Sequence, residues 1–274
     1  MKITLDLKKT VPENANFYYE GSKKAKKKAE GARKAIEDTL KKIEKLKERG
    51  QQAIENDVVK KVQRKKKWFE KFRWFESSDG FLVVGGKDAT TNDILIKKHT
   101  EKHDVVFHAD VHGAPFFVVK TEGKEAPPST LEQAAQAAAS YSSAWKNEVY
   151  SCDIYCVLPE QVSKTPPAGE YLPKGAFMIY GKKEWFRNTG LGIAVGVRFG
   201  QELEVLGGPT PAIEKACRYF VKIGIGSKKS GEIAKEIKTM LMKNAKPEDI
   251  EGLKTIAISD IQPWIPGGKG AIVK

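Results

Sequence analysis

The side chains of this sequence best suited to chemistry are His108, Asp110 and His112, within the stretch HTEKHDVVFHADVHGAPFFVVK that begins at His99 and holds all four histidines. Imidazole nitrogens and a carboxylate at alternate positions can hold a divalent cation or relay a proton. Read as a strand over Val105–Val111, they share one face. Gly113 and Pro115 then mark the turn into a second strand, Phe116–Lys120. A metal-dependent hydrolase built on these three is therefore one reading. Three ligands at i, i+2 and i+4 spread over about 13 Å of strand, however, more than one ion readily gathers. A hydrogen bond between His108 and Asp110 that orients the loop is favoured.

Such a hairpin needs a sheet and flanking helices to hold it. The run FLVVGGKDATTNDILIKK reads as a strand, a Gly-Gly break and a helix from about Thr90 or Thr91. In outline this is a phosphate cradle, with the amides of a helix start facing a loop, although it matches neither a Walker A loop nor a dinucleotide fingerprint. Ser129 and Glu132 form a capping box for the small-residue helix LEQAAQAAASYSSAW. Ser143 and Lys146 make an S-x-x-K without its companion motifs, a chance match.

Tyr150–Leu158 reads as a strand, followed by the long loop PEQVSKTPPAGEYLPKG. AFMIY, LGIAVGVRF and ELEVL continue an antiparallel-looking sheet. The tail reads as strand YFVKIGI, a basic glycine-rich loop GIGSKKSG, a helix to about Met242, and a final strand TIAISDI. The expected fold class is α+β, a mixed or antiparallel sheet with flanking helices.

Charge is concentrated at the other end of the chain. Of the net +13, residues 21 to 73 carry 20 Lys/Arg against 8 Asp/Glu by direct count, a net of +12. From Lys23 the positions Ala25, Ala29, Ala32, Ile36, Leu40, Ile43 and Leu46 step by three and four, the stripe of an amphipathic helix that Gly50 stops. Ile54, Val58, Val62, Phe69 and Phe72 continue as a second helix, so an antiparallel helical hairpin is expected after an irregular lead-in over residues 1–20. Its KKAKKKA and RKKK runs lack compensating acids, which favours phosphates as the partner. The block KKKWFEKFRWF interleaves cations with aromatics; most rings should pack in the core, leaving Lys71 and Arg73 for contact.

Three cysteines fit neither a disulfide framework nor paired zinc knuckles, and are expected as reduced, buried thiols. No run of about 18 uncharged apolar residues appears. A cytoplasmic protein without a membrane partner is expected.

Four ordered stretches, WFEKFRWF, SSDGFLVVGGKDATTND, HDVVFHADVHGAPFFVVK and EQVSKTPPAGEYLPKGAFMIYGKK, resemble the NFACT-R domain of the RqcH/NEMF (Caliban) ribosome-quality-control family from about Lys65 to Lys183. The basic hairpin resembles that family's middle coiled coil. The resemblance implies an RNA-binding module, not an enzyme and without a cofactor, of a factor that acts on a large ribosomal subunit carrying an obstructed nascent chain. Its implied partners are that subunit, tRNA or rRNA, and the N-terminal half of the family protein, the chain being a C-terminal piece or a stand-alone relative. The RNA-binding positions it implies are Gly86, Asp88, Asn92, His108, Asp110, His112, Gln161, Ser163 and Lys164, with Gly113, Gly169, Glu170 and Tyr171 as further motif residues; Arg73 of the aromatic block and the cations Lys87, Lys182 and Lys183 within the matching stretches join them as expected RNA contacts. The expected division is a basic arm over 1–70, an NFACT-R-like α+β core over 71–207 and a small α+β unit over 208–274.

Overall fold

The structure is a computed structural model that describes residues 4–8, 10–54, 67–166, 172–200 and 202–273. Two compact units divide the chain, Met1–Lys65 and Lys66–Lys274.

The first unit is built on helix α1, Val11–Ile54. Its start is a Thr-x-x-Glu cap: Glu13 accepts from the Thr10 amide at 2.7 Å and from the Thr10 hydroxyl at 2.9 Å. The helix therefore begins inside the stretch expected to be an irregular lead-in. It also runs through Gly50, because a glycine costs a helix interior only about 1 kcal/mol and no proline or cap follows to stop the chain there. Of the expected second helix, residues 55–66 lie outside the described residues, and its far end is not continued helix: Trp68–Lys71 form a single 3-10 turn and Phe72 is extended, because Phe69 and Phe72 are drawn into the core of the second unit. Within this unit the lysines from Lys23 to Lys41 are exposed, as are Ile36 and Leu40.

In the second unit, six antiparallel strands form the main sheet in the order β1-β2-β4-β3-β5-β8. These are β1 Arg73–Glu76, β2 Leu82–Gly85, β3 Val105–Ala109, β4 Phe117–Lys120, β5 Ser151–Val157 and β8 Glu184–Gly190, with a short β6–β7 pair at Val162–Ser163 and Met178–Ile179. Helix α2, Ala89–His99, follows β2; helix α3, Pro128–Ser140, follows β4, with a one-turn α4 at Ser143–Lys146. Both faces are covered for reasons visible in composition. Ala134, Ala135, Ala137, Ala138 and Ala139 are all buried, and their small side chains let α3 lie close on Phe107, Phe117 and Ile154. On the opposite face Leu95 of α2 packs with Phe69, Phe72 and Trp74 of the aromatic block. Trp68 stays 39% exposed and stacks on His99, ring centroids 4.3 Å apart.

A second sheet, β10-β9-β11-β12, takes in Leu203–Gly208, Ile193–Phe199, Tyr219–Lys229 and Lys269–Ile272. Helices α5, Thr210–Ala216, and α6, Ser230–Asn244, connect and cover it, and the short α7, Pro247–Lys254, and α8, Ile258–Ile261, follow. Three local expectations differ here. The basic GIGSKKSG stretch is strand and helix start rather than loop, since Gly224 and Gly226 allow the close approach of β12: a Cβ on Gly226 would lie 2.5 Å from that of Ala271. TIAISDI is a helical turn, not a strand, because Asp260 accepts from the Ala257 amide at 3.1 Å and caps it. The Ser129 capping box does not form either. Helix α3 starts at Pro128, and the Ser129 and Thr130 hydroxyls donate to Asp79 at 2.6 and 2.7 Å.

All three cysteines are free and buried. Among the described residues no helix is long and apolar enough to cross a membrane.

Candidate nucleic-acid interface

The histidine hairpin does not present a metal site. Strand β3 ends at Ala109, so Asp110 and His112 fall in the turn and leave the face that His108 occupies. His108 Nε2 lies 3.2 Å from the Ala114 carbonyl, which can only accept, so the proton sits on Nε2 and Nδ1 accepts from the Tyr155 hydroxyl at 3.4 Å. The expected bond to Asp110 is replaced by these two. Burial pushes the His108 pKa down to about 4, which keeps the ring neutral near pH 7. His99 stacks on Trp68, while His103 and His112 are exposed. Among the described residues no three His, Cys, Asp or Glu side chains are grouped to hold a metal ion.

What the hairpin does form is one wall of an open cleft of about 840 Å³. Its opposite wall is the β2–α2 junction. Gly86 donates to the Phe116 carbonyl at 3.0 Å, extending the β2–β4 ladder by one step, and Asn92 accepts from the Phe116 amide at 3.3 Å. A Cβ on Gly86 would lie 1.8 Å from Asn92 Oδ1, so only glycine allows that amide to reach the strand. Asp88 caps α2 by accepting from the Thr91 amide at 2.8 Å; this bond, with the charge of Lys174, holds its carboxyl below the ordinary range.

Four cations line the cleft: Arg73, Lys87, Lys146 and Lys174, with Asp88 the one carboxylate among the described lining residues. Arg73 donates through Nη1 to the Gly86 carbonyl at 2.6 Å, and its guanidinium carbon stands 4.6 Å from the centre of the Tyr141 ring. Its Nε is buried with no partner among the described residues, and burial lowers its pKa. Lys87 is pulled below its ordinary value by partial burial and then by the charge of Arg73. The start of α2 adds its own partial positive charge to the same space. Phe116, Phe177, Tyr141 and Tyr155 supply rings to the walls.

The expected site residues thus divide. Arg73, Lys87, Asp88, Asn92, His108 and His112 share the cleft, with Gly113 on its rim and Gly86 behind it. Asp110 is exposed outside it, its amide donating to the Asp153 carbonyl at 2.8 Å. Lys164 is spent on structure: Nζ reaches Asp93 Oδ1 at 3.2 Å and the carbonyls of Pro173 and Ala176 at 3.1 and 2.8 Å. Asp93 also accepts from the Gly175 amide at 2.9 Å, so the pair pins the 173–177 segment that carries Lys174 and Phe177 into the cleft. Gln161 is likewise structural, donating to the Tyr180 and Lys182 carbonyls at 2.8 and 2.9 Å, and Ser163 accepts from Thr165 at 3.0 Å. Gln161, Lys182 and Lys183 line a separate cavity of about 400 Å³ beside Cys156. Gly169, Glu170 and Tyr171 lie outside the described residues.

Several contributors escape sequence reasoning. Lys174 stands within the GEYLPKG stretch, where only its loop setting hinted at a role. Ser143 and Lys146, paired by chance in an S-x-x-K, both line the cleft, yet the Ser143 hydroxyl is committed to the His112 carbonyl at 2.6 Å. The tail closes the floor: Tyr141 donates to the Trp264 carbonyl at 2.9 Å and Trp145 to that of Lys269 at 2.7 Å, which brings Ile265, Gly267 and Gly268 to the cleft. No local pattern links positions about 120 residues apart.

Residues 71–181 match the family model described as the NFACT protein RNA binding domain, and residues 1–76 match that of the NFACT N-terminal and middle domains. The archaeal Rqc2 homolog aRqcH of Methanocaldococcus jannaschii is 45% identical over 182 residues, 66% of this chain and 27% of that protein. The ribosome quality control complex subunit NEMF homolog of Drosophila melanogaster is 38% identical over 73% of this chain and 20% of its own length. The human subunit NEMF is 40% identical over 63% of this chain and 16% of its own. The matches therefore span about a quarter or less of these relatives.

Proposed function

The chain belongs to the NFACT family of ribosome-quality-control proteins, and from that membership we propose that its basic cleft grips the phosphodiester backbone of tRNA or rRNA on the large ribosomal subunit. The observation that carries this reading is the convergence of Arg73, Lys87, Lys146 and Lys174 on one cleft at the start of α2. A desolvated guanidinium with donors to spare is a phosphate fork, and neighbouring ammonium groups compensate the second charge of a backbone. We infer that the lysine-rich α1 contributes further, sequence-independent contacts.

The module is read as a binder working in the cytoplasm rather than a catalyst. The half-buried His108 imidazole is committed on both nitrogens. Burial raises all three thiols, Cys156 and Cys217 to about 12, which disfavours the nucleophilic thiolate.

Binding of deacylated tRNA and of separated large subunits to the full chain tests the reading. With several phosphate contacts the affinity should fall by roughly a thousandfold between 50 and 200 mM salt. A flat salt response, or equal capture of an uncharged polymer, sinks it.

A further inference from the structure

A row of rings leaves the cleft across the main sheet. His108, Tyr155 and Trp185 are register partners on β3, β5 and β8, so their side chains stand in line on one face. Ring centroids are 5.9 Å apart from His108 to Tyr155 and 5.4 Å from Tyr155 to Trp185. The row ends at β8, the edge strand, about 10 Å from β3 at the usual strand spacing.

Cations cap that end. The guanidinium carbon of Arg187 lies 3.9 Å from the centre of the Trp185 ring, and Lys183 Nζ lies 4.0 Å from that of Tyr155 and 5.4 Å from that of Trp185. Arg187 is held in place rather than merely near: Nη1 donates to Asp153 Oδ2 at 2.5 Å, and Asp153 Oδ1 accepts from the Asn188 amide at 2.9 Å. Its side chain is nonetheless 57% exposed. A guanidinium resting on an indole, tethered at its edge and open on its outer plane, offers a flat surface of the size and polarisability that an unpaired base stacks on.

We propose that Arg187 over Trp185 is a stacking platform for an unpaired nucleobase, with Lys183 and Lys182 beside it for the flanking phosphate, and that the single-stranded segment it holds continues into the basic cleft past His108 and Tyr155. This rests on the RNA-binding reading and adds a ligand class to it: single-stranded RNA with splayed bases rather than a continuous duplex. Lys182 and Lys183 sit at the sheet edge for this purpose, although neither lines the cleft. Restraint of Arg187 before the ligand arrives lowers the ordering cost of the stack.

The test compares a single-stranded RNA decamer with an abasic sugar–phosphate decamer of equal length, bound to the full chain and to Arg187→Lys, which keeps the charge and removes the plane. Arg187→Lys should weaken the base-bearing decamer by about tenfold and leave the abasic one within about twofold. Trp185→Phe, which keeps an aromatic face, should retain most of the wild-type preference; Trp185→Leu should lose it. Thermal melting of each variant separates this from loss of fold. An equal drop on both ligands, or no drop on either, overturns the platform while wild-type binding with a steep salt response leaves the RNA-binding reading in place. Failure of the wild type to bind either decamer overturns both.

Discussion

Lys87 and Lys164 are both lysines of motif-like loops beside the same helix, and they have opposite surroundings. Lys164 is saturated by one carboxylate and two carbonyls. The Lys87 amide donates to Thr91 Oγ1 at 2.8 Å, but its ammonium has no hydrogen-bond acceptor among the described residues and sits against another cation. The contrast extends to the groups around each. Lys164, Asp93 and Gly175, bonded to one another, and Gly86, Asn92 and His108, bonded to Phe116, Ala114 and Tyr155, form a frame whose polar groups the fold has satisfied, whereas Arg73, Lys87 and Lys174 line the space the frame encloses. A cation that the fold leaves short of acceptors is available to a ligand, and one that the fold has satisfied is part of the wall.

Frame and lining should break differently. The largest effect is expected from Gly86→Ala, which drives Asn92 off the Phe116 amide and strands a buried donor; about 3 kcal/mol or more of stability should be lost in urea unfolding. Next comes His108. Its pKa is about 4 folded against an ordinary 6.5, so below pH 6.5 protons favour the unfolded chain. Stability present above 6.5 should therefore fall progressively down to about pH 4, by up to about 3 kcal/mol. In His108→Gln the loss between these pH values should be correspondingly smaller; identical pH profiles would refute the buried neutral ring.

Lys164→Met should cost about 1–2 kcal/mol, release the 173–177 segment and weaken RNA, yet leave the salt dependence of the remaining binding little changed. Smallest on stability is Lys87→Ala, within about 0.5 kcal/mol of wild type, because the cation repels Arg73 and holds nothing. It should still flatten the slope of log affinity against log salt by about 0.7, the signature of one lost contact to a single strand. If Lys87→Ala destabilises and Lys164→Met does not, frame and lining have been assigned the wrong way round.

Much of the architecture is legible without coordinates. Short apolar, β-branched runs in FLVVGG, VVFHA and IAVGVRF mark strands, and the Gly-Gly break before Thr90 marks a helix start to within a residue or two, because composition and chain breaks are local properties of the chain. Where the local signal is shared by two outcomes, tertiary context decides. TIAISDI could alternate as a strand or turn as a helix, and Asp260 settles it as a turn. Ser129 had a capping partner in sequence, yet Asp79 lies within reach in space. The thirteen expected site residues show the same limit, since residue type flags Lys87 and Lys164 alike.

By itself, then, the amino-acid sequence determines the family, the α+β class, the concentration of positive charge in residues 21–73 and the stretches from which the cleft is drawn. Only the tertiary structure decides which side chains face that cleft and which are consumed in building it. It ends β3 one residue short of Asp110, carries the tail back under Tyr141 and Trp145, and sets His108, Tyr155 and Trp185 in one row. The reason is that hydrogen-bond satisfaction is settled between groups distant in sequence: a lysine is a wall or a ligand site according to how many oxygens the rest of the chain brings to it.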